Sequence, residues 1–431
     1  MSSKLLIIGF VWPEPKSSAA GIRILQLIEQ FKKQNYTITF VTTANHSVNA
    51  FDLASIGVSS INIELNNSSF DVFVKDLNPD VVLFDRFMTE EQFGWRVAEQ
   101  CPNALRVLDT EDFHGLRKGR ALAIKQDEMF SIKHLQNDVT KREVASIYRC
   151  DVSLMISEVE IDILTIYLGV DKKLLYYLPF LLQPISNEAI DKFPSFDDRV
   201  HFVTIGNFLH PPNYDAVLYL KQEIWPLIRK ELPKAELHIY GAYESPKITQ
   251  LHNEAEGFLV KGFTEDVNTV MQNAKVCLAP LRFGAGLKGK LIDAMQNGTP
   301  SVMSTIAAEG IFGTSTPLSD QNSDKQSLNE IEASGYITNI PEEFAEQAIA
   351  LYTNAEQWKV KQQNGFKVLK ERFNAANFED DFAKKIENLR QNLQQHRQDN
   401  FTGQLLMHHT LQSTKYMSKW IEEKNNSDLK S

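Results

Sequence analysis

Cysteine, long apolar runs and excess positive charge are all scarce in this chain of 431 residues. Three cysteines, Cys101, Cys150 and Cys277, are too few and too scattered for a disulfide framework or a zinc site. A reducing cytoplasm is the simplest compartment for such a chain. Cys277 lies in a strand-like run and reads as a small core residue. Lysine and arginine number 45 against 55 aspartates and glutamates, a formal charge of −10. That balance argues against nucleic acid as a partner, though it leaves room for a local basic pocket. No apolar run reaches membrane-spanning length. The first, at 5–10, is too short for a signal peptide and is ended by Pro13 and Pro15. Attachment to a membrane surface stays open, and the composition says nothing of oligomeric state.

What is present is ordinary for a globular protein: 43% hydrophobic and 23% charged residues, with length for two or three domains. The first part alternates strands and helices. Strands are expected at 5–10, 37–43, 81–84, 105–108 and 152–156. A helix at 19–34 places Ile22, Leu25, Ile28 and Phe31 on one face. A long helical region is expected over 120–148. The pattern then restarts after a proline-bearing linker at 184–195. Strands are expected at 200–205, 235–240, 276–279 and 300–303, with a helix over 213–230. Residues 313–334 are polar and read as a mobile loop, and helices follow at 341–353, 356–373 and 378–397. The fold class is therefore α/β, two doubly wound domains in series with a helical end: 1–185, 186–375 and 376–431. Ligands of such sheets bind beyond the carboxyl ends of the strands, here in a cleft between the domains.

The sharpest local feature is the loop at 283–290. It follows the apolar run 276–280 and opens a segment with Leu287, Leu291, Ile292 and Met295 at helical spacing. Glycines let backbone approach a ligand closely, and free amides at a helix start attract anions. Lys288 and Lys290 sit in that first turn, where the helix dipole does not favour cations. A phosphate group would make amides and lysines cooperate. A magnesium-binding phosphate loop is excluded, because Leu291 stands where a serine or threonine is needed. The plainer alternative is a tight strand-to-helix turn with solvated lysines.

The second half resembles the donor domain of GT-B-fold retaining glycosyltransferases of family four (glycosyl transferases group 1). The resemblance is carried by Gly206-Asn207-Phe208 with His210-Pro211-Pro212-Asn213, then Leu237 to Gly241, then Val260 to Phe263 with Asp266. After these come Ala279-Pro280-Leu281-Arg282 with the glycine loop, Gly298 to Val302, and Ala308-Glu309-Gly310-Ile311. The first half is similar to the acceptor domain more loosely, with Gly21 and Arg23 in a loop where that family has glycines and often an arginine.

The resemblance implies two Rossmann-like domains and a nucleotide-diphosphate sugar in the cleft, as co-substrate rather than cofactor. It also implies a leaving diphosphate neutralised by bases instead of a metal, and retention of configuration. The family's signature is two glutamates separated by seven residues. The second, which holds the ribose hydroxyls, is Asp293 here. The first, which contacts the sugar, is Ala285, a departure that leaves loop amides around Gly284, Gly286 and Leu287 to serve the sugar or diphosphate. Gly206 and Asn207 stand where a basic residue is usual, so the cation expected is Lys290, helped by Arg282 or Lys288. A preorganised cation in a dry cleft stabilises developing charge better than one in water.

In the first domain, His114 is the candidate near the donor sugar. Asp109 or Asp112 would position it or bind the acceptor. Arg117 and Arg120 could receive an anionic acceptor, and Arg86 could pair with the acidic loop at 109–112. The plainer alternatives are Asp112 as a helix cap, His114 as a satisfied loop residue, and Glu158 as a helix-end charge. A glycan, lipid or protein acceptor is compatible with these residues. Two other functions were weighed: a nucleotide-sugar epimerase of the same shape, and a degenerate sugar- or nucleotide-binding subunit, for which Ala285 and Asn207 speak.

Overall fold

Five of the six residues of the first strand, and all of several later ones, are buried, as parallel strands covered on both faces must be. In the computed structural model, which describes residues 2–313 and 332–428, these strands form two parallel sheets. The first holds β1 (Lys4–Gly9), β2 (Thr37–Thr42), β3 (Ser59–Asn62), β4 (Val81–Asp85), β5 (Leu105–Asp109), β6 (Val152–Met155) and β7 (Leu175–Tyr177), in the order 3-2-1-4-5-6-7. The second holds β8 (Val200–Ile205), β9 (Leu237–Tyr240), β10 (Phe258–Gly262), β11 (Ala274–Ala279), β12 (Ser301–Met303) and β13 (Gly335–Ile337), in the order 10-9-8-11-12-13. Both orders reverse beside the first strand of the domain. That switch point opens a crevice at the carboxyl edge of each sheet.

The expected elements are present, with differences that have local causes. The helical region at 120–148 is two helices, His114–Lys125 and Asp138–Arg149. Asn137 starts the second by accepting from the Thr140 amide at 3.0 Å. The helix expected over 213–230 runs from Pro211 to Glu231 but widens at Leu220–Ile224. Pro226 lacks the amide that a regular turn would need there, and a widened turn absorbs the loss. The polar loop expected at 313–334 lies mostly outside the described residues.

The chain crosses between domains twice, side by side. Leu182 N donates to Phe373 O at 2.8 Å, and Ala375 N donates to Leu182 O at 2.9 Å. After the second crossing the chain stays on the first domain. Ala375, Phe382, Ile386 and Leu389 join the core formed by Leu5, Ile7, Ile28, Phe31 and Val81. Arg397 donates to both oxygens of Asp151, at 2.7 and 2.8 Å, and to the carbonyls of Pro102 and Ala104. The last helix, Phe401–Asp428, continues over the helices Arg86–Gln100 and Asp138–Arg149. The first domain therefore needs the end of the chain to complete one face of its sheet.

Phe382 is wholly buried and meets Phe31 edge-on, with ring centroids 5.5 Å apart. Truncating such a ring leaves a cavity as well as losing transfer energy. Phe382→Ala is expected to destabilise the fold by about 3–5 kcal/mol. Chemical denaturation of the full chain checks this. A loss below about 1 kcal/mol would show that the returning helix is not part of the first domain's core.

Candidate active site

The two carboxyl edges face each other across a cleft of about 960 Å³. From the second domain, its wall includes Gly206, Asn207, His210, Asn213, the loop Gly284–Gly289, Lys290 and Asp293. From the first come Glu14, Ser17, Arg86, Glu111, Asp112, His114 and Arg117.

The helix Gly289–Gln296 begins at this wall, and its Lys288 cap position supplies no side-chain bond to the first turn. Helix-start amides left uncapped attract anions. Lys290 Nζ donates to Asn213 Oδ1 at 3.1 Å and has no carboxylate partner among the described residues. Burial pulls its ammonium down to about 8, so an arriving anion would favour the charged form. Asp293, three residues on, also lines the cleft, and its side chain has no hydrogen-bond or ion-pair partner among the described residues. Burial raises it to about 7.

Other expected donors are occupied. Lys288 turns back on its own loop, donating to Gly286 O at 2.6 Å and Ala285 O at 3.2 Å. Arg282 lies outside the cleft, exposed. Its Nε donates to Asp215 Oδ2 at 2.9 Å, and its guanidinium covers the Tyr219 ring. The Gly286 amide, expected to serve a ligand, is taken by Glu160 Oε1 at 2.7 Å. Ala285 is buried against the core of the first domain. Gly206 abuts Asn213, whose amide donates to Asn207 O at 2.9 Å, so this pair shapes the turn before the helix Pro211–Tyr219.

In the first domain the structure separates the candidates. Asp112 and His114 stay at the cleft: His114 Nδ1 lies 3.0 Å from Asp112 O and 3.1 Å from Asp112 Oδ1. Arg117 Nη1 donates to Asp112 Oδ2 at 2.6 Å. Burial opposes charge on Asp112, but Arg117, His114, His210 and Arg86 outweigh it and hold the carboxyl at about 2. Burial likewise opposes charge on His114, but Asp112 and Glu143 raise it overall. His210, by contrast, is pushed down to about 4 by burial and by Arg117. Arg86 does pair with the acidic loop, at Glu111 Oε2, 2.9 Å away.

Other assignments change. Asp109 is fully buried and bound to Arg23 through Oδ1, at 3.0 Å from Nη2, so it neither orients His114 nor reaches an acceptor. Arg23 spends its remaining donors on the carbonyls of Leu178 and Pro179, at 2.6 and 2.8 Å. Gly21 is there for the chain itself: a Cβ would meet the backbone of Glu14 at 2.4 Å. Arg120 is buried outside the cleft, gripping Glu309 through two bonds of 2.7 Å. Asp112 is not the cap of the helix His114–Lys125. Glu143 is, accepting from the His114 and Gly115 amides at 3.2 and 2.9 Å. Glu158 is a charge in the first turn of the helix Glu158–Asp162, as expected, and it also pairs with Arg372. Glu143 and Glu160 carried no local signal, because each acts across a fold contact. Among the described residues, no cluster of three or more histidine, cysteine or acidic side chains is arranged to hold a metal.

Two facing parallel α/β domains of Rossmann-like order, with C-terminal helices returning to the first, are the architecture of GT-B-fold glycosyltransferases. Residues 199–354, within the second domain, match the family described as Glycosyl transferases group 1. Over 141 residues the chain is 26% identical to an uncharacterized 44.6 kDa protein in the cps region of Klebsiella pneumoniae. That match takes in 31% of this chain and spans about a third of the relative, 36% of its length. Among solved structures, sucrose-phosphate synthase from Thermosynechococcus elongatus superposes with a TM-score of 0.65 at 14% identity, covering 90% of this chain and 99% of that one. S. aureus TarM, solved with UDP among its ligands, gives 0.65 at 10% identity, covering 90% and 100%. Anabaena HepE with UDP and glucose gives 0.61 at 13% identity, with the same coverage. These three likenesses concern the fold.

The raised Asp293 has a consequence for stability. In the folded state it binds its proton up to about pH 7, whereas in an unfolded chain it releases it near its ordinary 3.8. The folded state therefore holds more protons between those values, and Asp293 lowers stability as pH rises through that window. Asp293→Asn removes the effect. Its melting temperature is expected to match wild type near pH 4 and to exceed it by several degrees above pH 7. Thermal melts across pH 4–8 check this, and a constant offset would refute it.

Proposed function

We propose that this protein transfers a sugar from a nucleotide-diphosphate sugar to an acceptor hydroxyl, with retention of configuration, in the building of a polysaccharide or other glycoconjugate. The observation that carries the reading is that Asp293 and Lys290 both line the cleft, on one helix whose start has no side-chain cap. A carboxylate accepts two ribose hydroxyls, and an ammonium with helix amides receives a diphosphate. The UDP in the TarM and HepE structures and the cps-region relative support the donor class and the glycan setting.

In this reading the sugar leaves through an oxocarbenium-like state. Lys290 and the helix start stabilise the charge gathering on the leaving phosphate. His114, its pKa raised by Asp112 and Glu143 against burial, stands at the cleft to hydrogen-bond a hydroxyl of the sugar. The acceptor approaches from the first-domain wall, where Arg117 and Arg86 stand. The departing phosphate oxygen takes the acceptor's proton, so the reaction needs no metal and no separate base. We place it in the cytoplasm; among the described residues no helix is long and apolar enough to cross a membrane. Ala285 and Asn207 favour a second reading, a subunit that binds the nucleotide without turning it over.

Calorimetric titration with UDP, GDP and ADP tests the donor site. One nucleotide is expected to bind. Asp293→Ala and Lys290→Ala should each weaken it about 10- to 100-fold, the value of a hydrogen bond to a charged group. Turnover with the matching sugars, followed by the anomeric configuration of the product, tests the chemistry. Inversion would overturn retention, and binding without turnover would favour the second reading. No binding to any of the three would overturn the donor site.

A further inference from the structure

The glycine loop belongs to the second domain in sequence, but the first domain holds its shape. Arg120 Nη1 donates to Gly284 O at 2.8 Å. The same guanidinium takes both oxygens of Glu309, fixing the loop's other flank. Glu160 Oε1 accepts at once from the Gly286 amide, at 2.7 Å, and from the Phe113 amide, at 3.0 Å. One carboxyl oxygen thus joins the donor loop to the segment that carries His114. Glu160 is completely buried, and its second oxygen has no hydrogen-bond partner.

Shape agrees with the bonding. Gly286 has a φ of +65°, and a Cβ there would come within 2.8 Å of the Asp112 Cβ. Gly289 and Gly310 meet Ala19 and Ser157 as closely, at 2.9 and 2.7 Å. Ala285 packs into the first domain's core. Separation of the domains would leave the Gly284 carbonyl, the Gly286 amide and the Ala285 methyl without these partners.

We propose that Arg120 and Glu160 are positioning residues, which shape the loop from the opposite domain and so set Lys290 and Asp293 for the donor. The donor site is complete only when the two domains are closed. This rests on the donor-site reading above, and the test keeps the two apart. Burial, with Asp112 nearby, pushes Glu160 up to about 8, so Gln is its close neutral counterpart at pH 7.

Deuterium uptake of peptides covering residues 281–293 is measured first, on ligand-free full-length wild type, Glu160→Ala, Glu160→Gln and Arg120→Lys. Nucleotide affinity is measured on the same proteins. Glu160→Ala and Arg120→Lys are expected to exchange faster in this loop and to bind the nucleotide diphosphate about tenfold more weakly, because the ligand must then order the loop. Glu160→Gln, which keeps a carbonyl oxygen for both amides, should restore both readouts. If Glu160→Ala fails to fold, Arg120→Lys carries the same measurements. Unchanged exchange in the variants, or faster exchange with unchanged affinity, would overturn the positioning role. A wild type that binds none of the nucleotides would overturn the donor-site reading instead, and the exchange data would still judge whether the first domain shapes the loop.

Discussion

Arg23 lies almost entirely out of water, and its guanidinium is committed on every side that faces protein. It binds Asp109 at the carboxyl end of β5 and the two carbonyls where the chain leaves the first domain. The helix Ala19–Lys33, the sheet edge and the crossing are thus fixed to one another by one side chain. A buried ion pair gains little against a well-packed apolar substitute, but removing one partner strands a charge and costs several kcal/mol. The pair therefore specifies an arrangement more than it adds stability. The cleft depends on that arrangement, because β5 continues directly into Glu111, Asp112 and His114.

Charge in the cleft is controlled by burial and pairing rather than by the acidic balance of the chain. β4 and β5 end with Asp85 opposite Asp109, and the loop beyond adds Glu111 and Asp112. Arg23, Arg86 and Arg117 each answer one of these carboxylates. Arg86 and Glu111 hold positive φ, of +69° and +61°, to make their pair. Such backbone strain persists where the surroundings over-determine it, commonly at functional sites. On the facing wall Lys290 is left without an opposing carboxylate. An acidic protein can thus offer an anion a dry, locally positive surface.

Nine of the strands were legible because buried parallel strands are continuous apolar runs alternating with helices, whereas the short β7, β10 and β13, like the order of the strands, came only with the structure. β3 escaped notice because its residues, Ser59 to Asn62, are exposed at a sheet edge and carry no apolar signal. Lys290 was legible from the glycine loop at a helix start, and Asp293 only from the resemblance, which sets it at the place of the family's second glutamate. Arg282 and Arg120 were misplaced because spacing does not say which way an arginine turns once an acid such as Asp215 or Glu309 lies within reach. Glu143 and Glu160 were invisible for a related reason: each serves backbone amides on a distant segment.

By itself, then, the sequence determined the two doubly wound domains and the glycine loop at a helix start with its lysine. Those follow from periodicity and from local backbone chemistry, which act over a few residues. The tertiary structure decided which charges are spent and which are free. Arg23, Arg120, Asp109 and Lys288 are consumed by partners within the fold, while Lys290, Asp293 and His114 remain at the cleft. A long polar side chain has its role set by the nearest opposite group in space, and only the closing of the chain on itself brings that group near.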